Sequence, residues 1–251
     1  MRDDSLRAAA AVLHDARSVV VLTGAGMSAE SGVPTFRDAL TGEWSKFDPM
    51  RLASREGFRA DPAFVWRWYA GRRQRLASVL PNAGHRALVG LERRFDPFAI
   101  VTQNVDGLHA RAGSSRVLEL HGNLMRTKCL DECGVRIDDL GALPAGEPPV
   151  CPGCGGWLRP DVVWFGEMLD PQVIDEAQGL AGACEVMVVV GTSGVVYPAA
   201  GLPQVTKERG GRVIVVNPNA SEIDDSADIL VRDTAANALP RLFGAAASHL
   251  T

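Results

Sequence analysis

Ser18-Val19-Val20-Val21-Leu22-Thr23-Gly24-Ala25-Gly26-Met27-Ser28-Ala29 decides the fold class of this 251-residue chain. The five β-branched or apolar residues after Ser18 read as a strand covered on both faces, which is the situation of a strand inside a parallel sheet. The glycines that follow fit the G-x-G-x-x-G/A pattern of a phosphate loop, where two missing Cβ atoms permit a tight turn and close approach of backbone to a pyrophosphate. A helix starting near Ser28 is expected to add its positive end. Taken alone, the same residues could be an ordinary strand-to-helix turn.

Working outward, three later runs have the same character: Pro97 to Thr102, Glu185 to Val190 and Arg212 to Val216. Helical patterns flank or separate them, from Ser5 to Ala16 with Ser5 as cap, and from Pro198 to Arg209. This alternation predicts an α/β fold, a doubly wound parallel Rossmann-like sheet with helices on both faces. Two stretches break the pattern. Asp61 to Val79 is a long helical run rich in tryptophan and arginine, and Asn123 to Pro160 is rich in cysteine, glycine and proline. The expected organisation is a discontinuous nucleotide-binding domain of residues 1–35, 81–122 and 161–251. Residues 36–80 and 123–160 would form a smaller domain made of the helical insertion and a zinc ribbon.

Composition narrows the function classes. Lysine and arginine number 26 against 30 acids, a net charge of −4, which does not suit a protein that wraps a nucleic-acid backbone. The apolar runs are far shorter than the roughly 20 residues of a spanning helix, and the amino terminus lacks the apolar region of a signal peptide. Five cysteines, four of them in two close pairs, do not make a secreted disulfide framework at this length. A cytoplasmic, monomeric protein with no nucleic-acid or membrane partner is expected. A standard dehydrogenase is disfavoured, because no second strand ending in an acid follows the glycine loop at about 20 residues.

Cys129-Leu-Asp-Glu-Cys133 and Cys151-Pro-Gly-Cys154 bracket a glycine- and proline-rich loop, the spacing of a structural zinc ribbon. Four protein ligands would leave no open position on the ion, so it would stabilise and not catalyse. Cys184 reads as a small core residue.

Several motifs together resemble the sirtuins, the NAD-dependent protein-lysine deacylases. Gly24 to Arg37 (Gly-Ala-Gly-Met-Ser-Ala-Glu-Ser-Gly-Val-Pro-Thr-Phe-Arg) is similar to their NAD-binding loop. Thr102-Gln103-Asn104-Val105-Asp106-Gly107-Leu108-His109, His121-Gly122, the cysteine pairs, Phe165-Gly166-Glu167, Gly191-Thr192-Ser193 and Val216-Asn217 follow in the family's order. The first cysteine pair departs from the family, with three intervening residues where two are common. The resemblance implies NAD as a consumed co-substrate, with free lysine, nicotinamide and O-acyl-ADP-ribose as products.

It also implies roles for residues. Gly24, Ala25, Gly26, Ser28, Glu30, Phe36, Arg37, Gln103, Asn104, Asp106, Gly191, Thr192, Ser193, Asn217, Asn219 and Ala235 would bind NAD. Phe36 would shield the reactive carbon from water. His121 would be the general base, as the side chain whose ordinary pKa is nearest neutrality, with Asn104 beside it. His85 begins a helix in a Pro-Asn-Ala-Gly-His turn, and His109 reads as structural. Val163, Trp164 and Phe165 would wall an acyl-lysine tunnel, and the run Asp161 to Glu167 would offer a strand edge to the acylated peptide.

Tyr69 and Arg72 lie three apart on the expected helix and share a face. A phenol and a guanidinium fork make a receptor for a carboxylate, although composition alone would equally allow a solvated arginine face. In the desuccinylase and demalonylase branch (class III) of the family, a Tyr-x-x-Arg pair in this place reads the acyl carboxylate. The resemblance therefore implies desuccinylase and demalonylase activity with some deacetylation. A sirtuin-fold ADP-ribosyltransferase and a non-catalytic NAD or ADP-ribose sensor are the alternatives.

Overall fold

The computed structural model describes residues 2–34, 48–138 and 146–247. Phe36 and Arg37, expected at the NAD site, lie outside the described residues.

Six strands form a parallel sheet: β1 (Val19–Thr23), β2 (Phe98–Thr102), β3 (Val117–Glu119), β7 (Val186–Val190), β8 (Arg212–Val216) and β9 (Ile229–Val231), in the order β3-β2-β1-β7-β8-β9. Every residue of β1, β2 and β7 is buried. Alternate residues feed two cores. Val19, Val21, Val186, Val188 and Val190 pack under the helices Arg2–Asp15, Ala83–Glu92 and Ala235–Ala247. Val20, Leu22, Met187 and Val189 pack under Pro171–Ala183 and Leu202–Glu208. Both faces being covered explains why these strands read as continuous apolar runs. Each buried valine or leucine contributes about 1.5–3 kcal/mol.

The chain leaves β1 for β2 and β3 on one side, then returns to β7, β8 and β9 on the other. The carboxyl ends of β1 and β7 therefore flank the crevice where connections diverge, the place where open α/β sheets hold ligands. No α-helix begins near Ser28, contrary to expectation. Two short 3-10 turns, Ala25–Met27 and Ala29–Ser31, follow the strand instead, and Gly32 at φ 85° ends the second. Turns this short carry little macrodipole, so loop backbone and side chains must recognise a phosphate.

A second, antiparallel sheet joins β4 (Gly122–Cys129), β5 (Arg136–Ile137) and β6 (Leu158–Val162) in the order β5-β4-β6. It packs through Leu124, Leu130, Val162 and Trp164 against Phe58, Val65, Tyr69 and Leu76 of the helical insertion. The long helix runs Pro62–Ala77, with the Asp61 side chain accepting from Phe64 N–H. No helix among the described residues is long and apolar enough to cross a membrane.

Candidate active site

One cavity of about 1330 Å³ opens between the carboxyl ends of β1 and β7. Gly24, Ala25, Gly26, Glu30, Gln103, Asn104, Gly191, Thr192, Ser193, Asn217 and Asn219 line one part of it, and Tyr69, Arg72, His121, Val163, Trp164 and Phe165 another. The two strand-end loops touch. Gly26 N–H donates to the Gly191 carbonyl at 2.8 Å, and a Cβ on Gly26 would stand 2.7 Å from Gly191 Cα. Gly191 itself sits at φ 63°, a conformation that favours glycine. The two loops thus pack backbone to backbone at the cavity wall, where a Cβ on Gly26 or Gly191 would collide with the facing chain.

Ser28, Asp106 and Ala235 do not line the cavity. Ser28 and Asp106 are buried behind its floor, where the Ser28 hydroxyl donates to Asp106 Oδ2 at 2.7 Å. Burial raises the Asp106 pKa, opposed by hydrogen bonds from Leu108 N–H and Ser28. Ala235 is packed into the core at the start of the last helix. Glu30 lines the cavity, while its carboxylate accepts from Thr234 Oγ1 at 2.9 Å and Ala236 N–H at 2.7 Å.

The Gln103–Asn104 loop is held from several sides. Asn104 Nδ2 donates to the Gly24 carbonyl at 3.0 Å, and Gln103 Nε2 to Thr192 Oγ1 at 3.0 Å. Asn217 Nδ2 donates to the Thr192 carbonyl at 2.9 Å. His121 Nδ1 lies 2.9 Å from the Gln103 carbonyl. A carbonyl can only accept, so Nδ1 carries the ring proton and Nε2 keeps its lone pair. Burial lowers the His121 pKa, with the Gln103 bond opposing that shift. The imidazole is therefore neutral at pH 7, able to take a proton.

Beneath the floor lie two further histidines, His85 and His109, with ring centroids 4.9 Å apart. Burial lowers His85 to about 4 and His109 to about 3. Both shifts are downward from about 6.5, so the unfolded chain binds more protons than the folded one between those values, and stability falls as pH drops through that window. From pH 7 to pH 5 the loss is expected to reach about 2 kcal/mol per histidine. Urea midpoints at the two pH values check this; equal midpoints contradict it.

Tyr69 and Arg72 both reach the cavity. The Tyr69 hydroxyl accepts from Trp164 Nε1 at 2.9 Å and retains its own proton to donate; burial raises its pKa, keeping that proton in place. The Arg72 guanidinium packs 4.9 Å from the Trp68 ring centroid and 5.8 Å from that of Tyr69. The run Asp161 to Glu167 does not continue as a strand edge. β6 ends at Val162, and the chain turns through Gly166 at φ 82°. The N–H groups of Val163, Trp164 and Phe165 are committed internally, to the His121 carbonyl, the Glu167 carboxylate and the Ala53 carbonyl.

That turn is locked by charges the sequence did not single out. Fully buried Arg159 donates to Glu167 Oε1 at 2.6 Å and stacks 4.0 Å from the Trp164 ring centroid. Arg55 Nε reaches the same Glu167 oxygen at 2.8 Å. Met168, Leu169, Ile174 and Val195 to Tyr197 also wall the cavity. The signal available for the last group was its position directly after a strand-end glycine loop.

The four sulfurs of Cys129, Cys133, Cys151 and Cys154 lie within 4.8 Å of one another. Tetrahedral zinc with bonds of about 2.3 Å needs sulfurs about 3.8 Å apart, and the pairs Cys129–Cys154 and Cys133–Cys151 stand at 3.5 Å. An all-thiol donor set of this size fits a structural zinc. The longer first knuckle is accommodated by Glu132, a non-glycine residue at φ 55°.

A doubly wound sheet, a glycine loop at its switch point and a four-cysteine module define a Rossmann-like protein carrying a metal-ribbon insertion. The Sir2 family model matches residues 24–198, and the chain belongs to the Sir2 family. An NAD-dependent protein deacylase of Ralstonia nicotianae is 53% identical over 234 residues, covering 93% of this chain and 94% of that protein. A Sir2 homologue crystallised as an NAD complex superposes with a TM-score of 0.89 at 40% identity, covering 100% of this chain and 96% of the other. Sir2Tm bound to a propionylated peptide superposes with a TM-score of 0.82 at 31% identity, covering 98% and 99%.

Proposed function

We propose that this chain is an NAD-dependent protein-lysine deacylase, with malonyl- and succinyl-lysine as preferred substrates and acetyl-lysine as a poorer one. The observation that carries the reading is a single cavity joining the glycine loop to His121, Tyr69 and Arg72. When bound, NAD supplies a ribose whose bond to nicotinamide breaks and an ADP-ribose that accepts the acyl group. Gly24, Ala25 and Gly26 would hold it by backbone, with Gln103, Asn104, Gly191, Thr192, Ser193, Asn217 and Asn219 completing its surroundings.

His121 would act as general base. Its pinned Nδ1–H directs the basic Nε2, and its lowered pKa leaves that nitrogen unprotonated at neutral pH. The acidic limb of the rate profile is therefore expected below the ordinary imidazole range. Val163, Trp164 and Phe165 would wall the acyl-lysine path. Phe165, Met168, Val195, Val196 and Tyr197, all exposed and all lining the cavity, offer apolar surface to a peptide.

Acyl selectivity would come from Arg72 and the Tyr69 hydroxyl meeting a terminal carboxylate, a charge-assisted pair in a half-dry site. Substituting Arg72→Met is expected to raise KM for a succinyl peptide by about tenfold or more, and to leave an acetyl peptide within about twofold. Steady-state kinetics on matched peptides check this, and equal effects on both peptides refute the carboxylate assignment. Following labelled NAD separates the alternative of ADP-ribosyl transfer to protein, since only deacylation ties nicotinamide release to acyl-lysine.

A further inference from the structure

His109 is 2% exposed, does not line the cavity, and touches the site through a chain of hydroxyls. Its Nε2 lies 3.0 Å from Thr23 Oγ1. The Thr23 hydroxyl gives its only proton to Thr102 Oγ1 at 2.8 Å, so toward His109 it can only accept, and His109 carries its proton on Nε2. The other tautomer would bury a bare N–H, since Nδ1 has no hydrogen-bond partner among the described residues. Thr102 Oγ1 accepts in turn from Asn104 N–H at 3.0 Å, and the Thr23 carbonyl accepts from Gln103 N–H at 2.9 Å. Gln103 is the residue whose carbonyl fixes the ring proton of His121.

We propose that His109 is a positioning residue: by donating to Thr23 it holds the Thr23–Thr102 hydroxyl pair, hence the Gln103–Asn104 backbone, and through that carbonyl the tautomer and aim of His121. This rests on His121 being the base of the proposed deacylation. Burial lowers the His109 pKa to about 3, so the ring is neutral at pH 7 and the role is geometric. A purely structural residue in this position would be served equally well by an apolar side chain of the same size, which would fill the space with no polar group to desolvate. A donor is needed only if Thr23 must be oriented.

Three variants test it. His109→Met removes the donor at similar volume, His109→Gln keeps an N–H near the place of Nε2, and Thr23→Val breaks the chain one link further on. Each is compared with wild type by steady-state kinetics on an acyl peptide with NAD. Each is also compared by imidazole 15N spectroscopy, with His121 assigned from its own substitution. His109→Met and Thr23→Val are expected to lower kcat by about tenfold or more, with the peptide KM within about twofold, and to move His121 from the pure Nδ1–H tautomer to a mixture. His109→Gln is expected to restore most of the rate and the single tautomer. Wild-type kcat with an unchanged His121 spectrum in His109→Met or Thr23→Val overturns the proposal, as does a His109→Gln enzyme as slow as His109→Met. Should wild type deacylate no acyl peptide, the deacylase reading fails, and the His121 spectrum alone then decides the relay.

Discussion

Substituting His121→Gln is expected to lower kcat for NAD-dependent deacylation by about a hundred- to ten-thousandfold, the usual range for removing a general base. NAD affinity, measured by calorimetry, should stay within about threefold, because the lost interaction belongs to the transition state and not to binding. The geometry explains why glutamine is no substitute. An amide nitrogen could still donate to the Gln103 carbonyl in place of Nδ1, but no group on the same side chain would then present a basic lone pair at neutral pH. Turnover close to wild type in this variant refutes the assignment of His121.

The second large effect concerns the cysteine module. Replacing Cys151 by serine, or stripping the purified protein with a chelator, is expected to take bound zinc from one ion per chain to near none and to lower Tm by about 10 °C or more. Cys129 and Cys151 are each 1% exposed and pack with Leu158 in a small cluster of their own, too little apolar surface to hold a sheet without a staple. The damage should spread to the cavity, because Leu124 and Val162 of this sheet, and Leu130 directly after β4, share a core with Tyr69 and Trp164. Metal analysis with calorimetry checks this; a metal-free native protein with unchanged Tm contradicts it.

Much of this was legible in residue order because the signals are local. The strands at Val19, Phe98, Val186 and Arg212 announce themselves by unbroken apolar runs, since both faces are covered. Each cysteine pair is visible in sequence because its members are close neighbours, and the antiparallel pairing of β4 with β6 brings the two pairs together. Tyr69 and Arg72 share a cavity because three residues make most of a helical turn.

What was not legible depends on partners far apart. The Thr23, Thr102 and His109 chain joins residues 79 and 86 positions apart, and nothing in the local pattern of any one of them marks it. Arg159 belongs to no motif in the sequence, yet it is fully buried against Trp164, a ring five residues further on. Near Ser28 the local reading misled, because a helix-start pattern was defeated by Gly32 adopting a left-handed turn.

Mass spectrometry of matched acetyl, malonyl and succinyl lysine peptides, incubated with and without NAD, is the most direct measurement. The account predicts that free lysine peptide appears only when NAD is present, together with equal amounts of nicotinamide and O-acyl-ADP-ribose, and fastest from the acidic acyl groups. Deacylation without NAD, or NAD consumption indifferent to acyl-lysine, would contradict it.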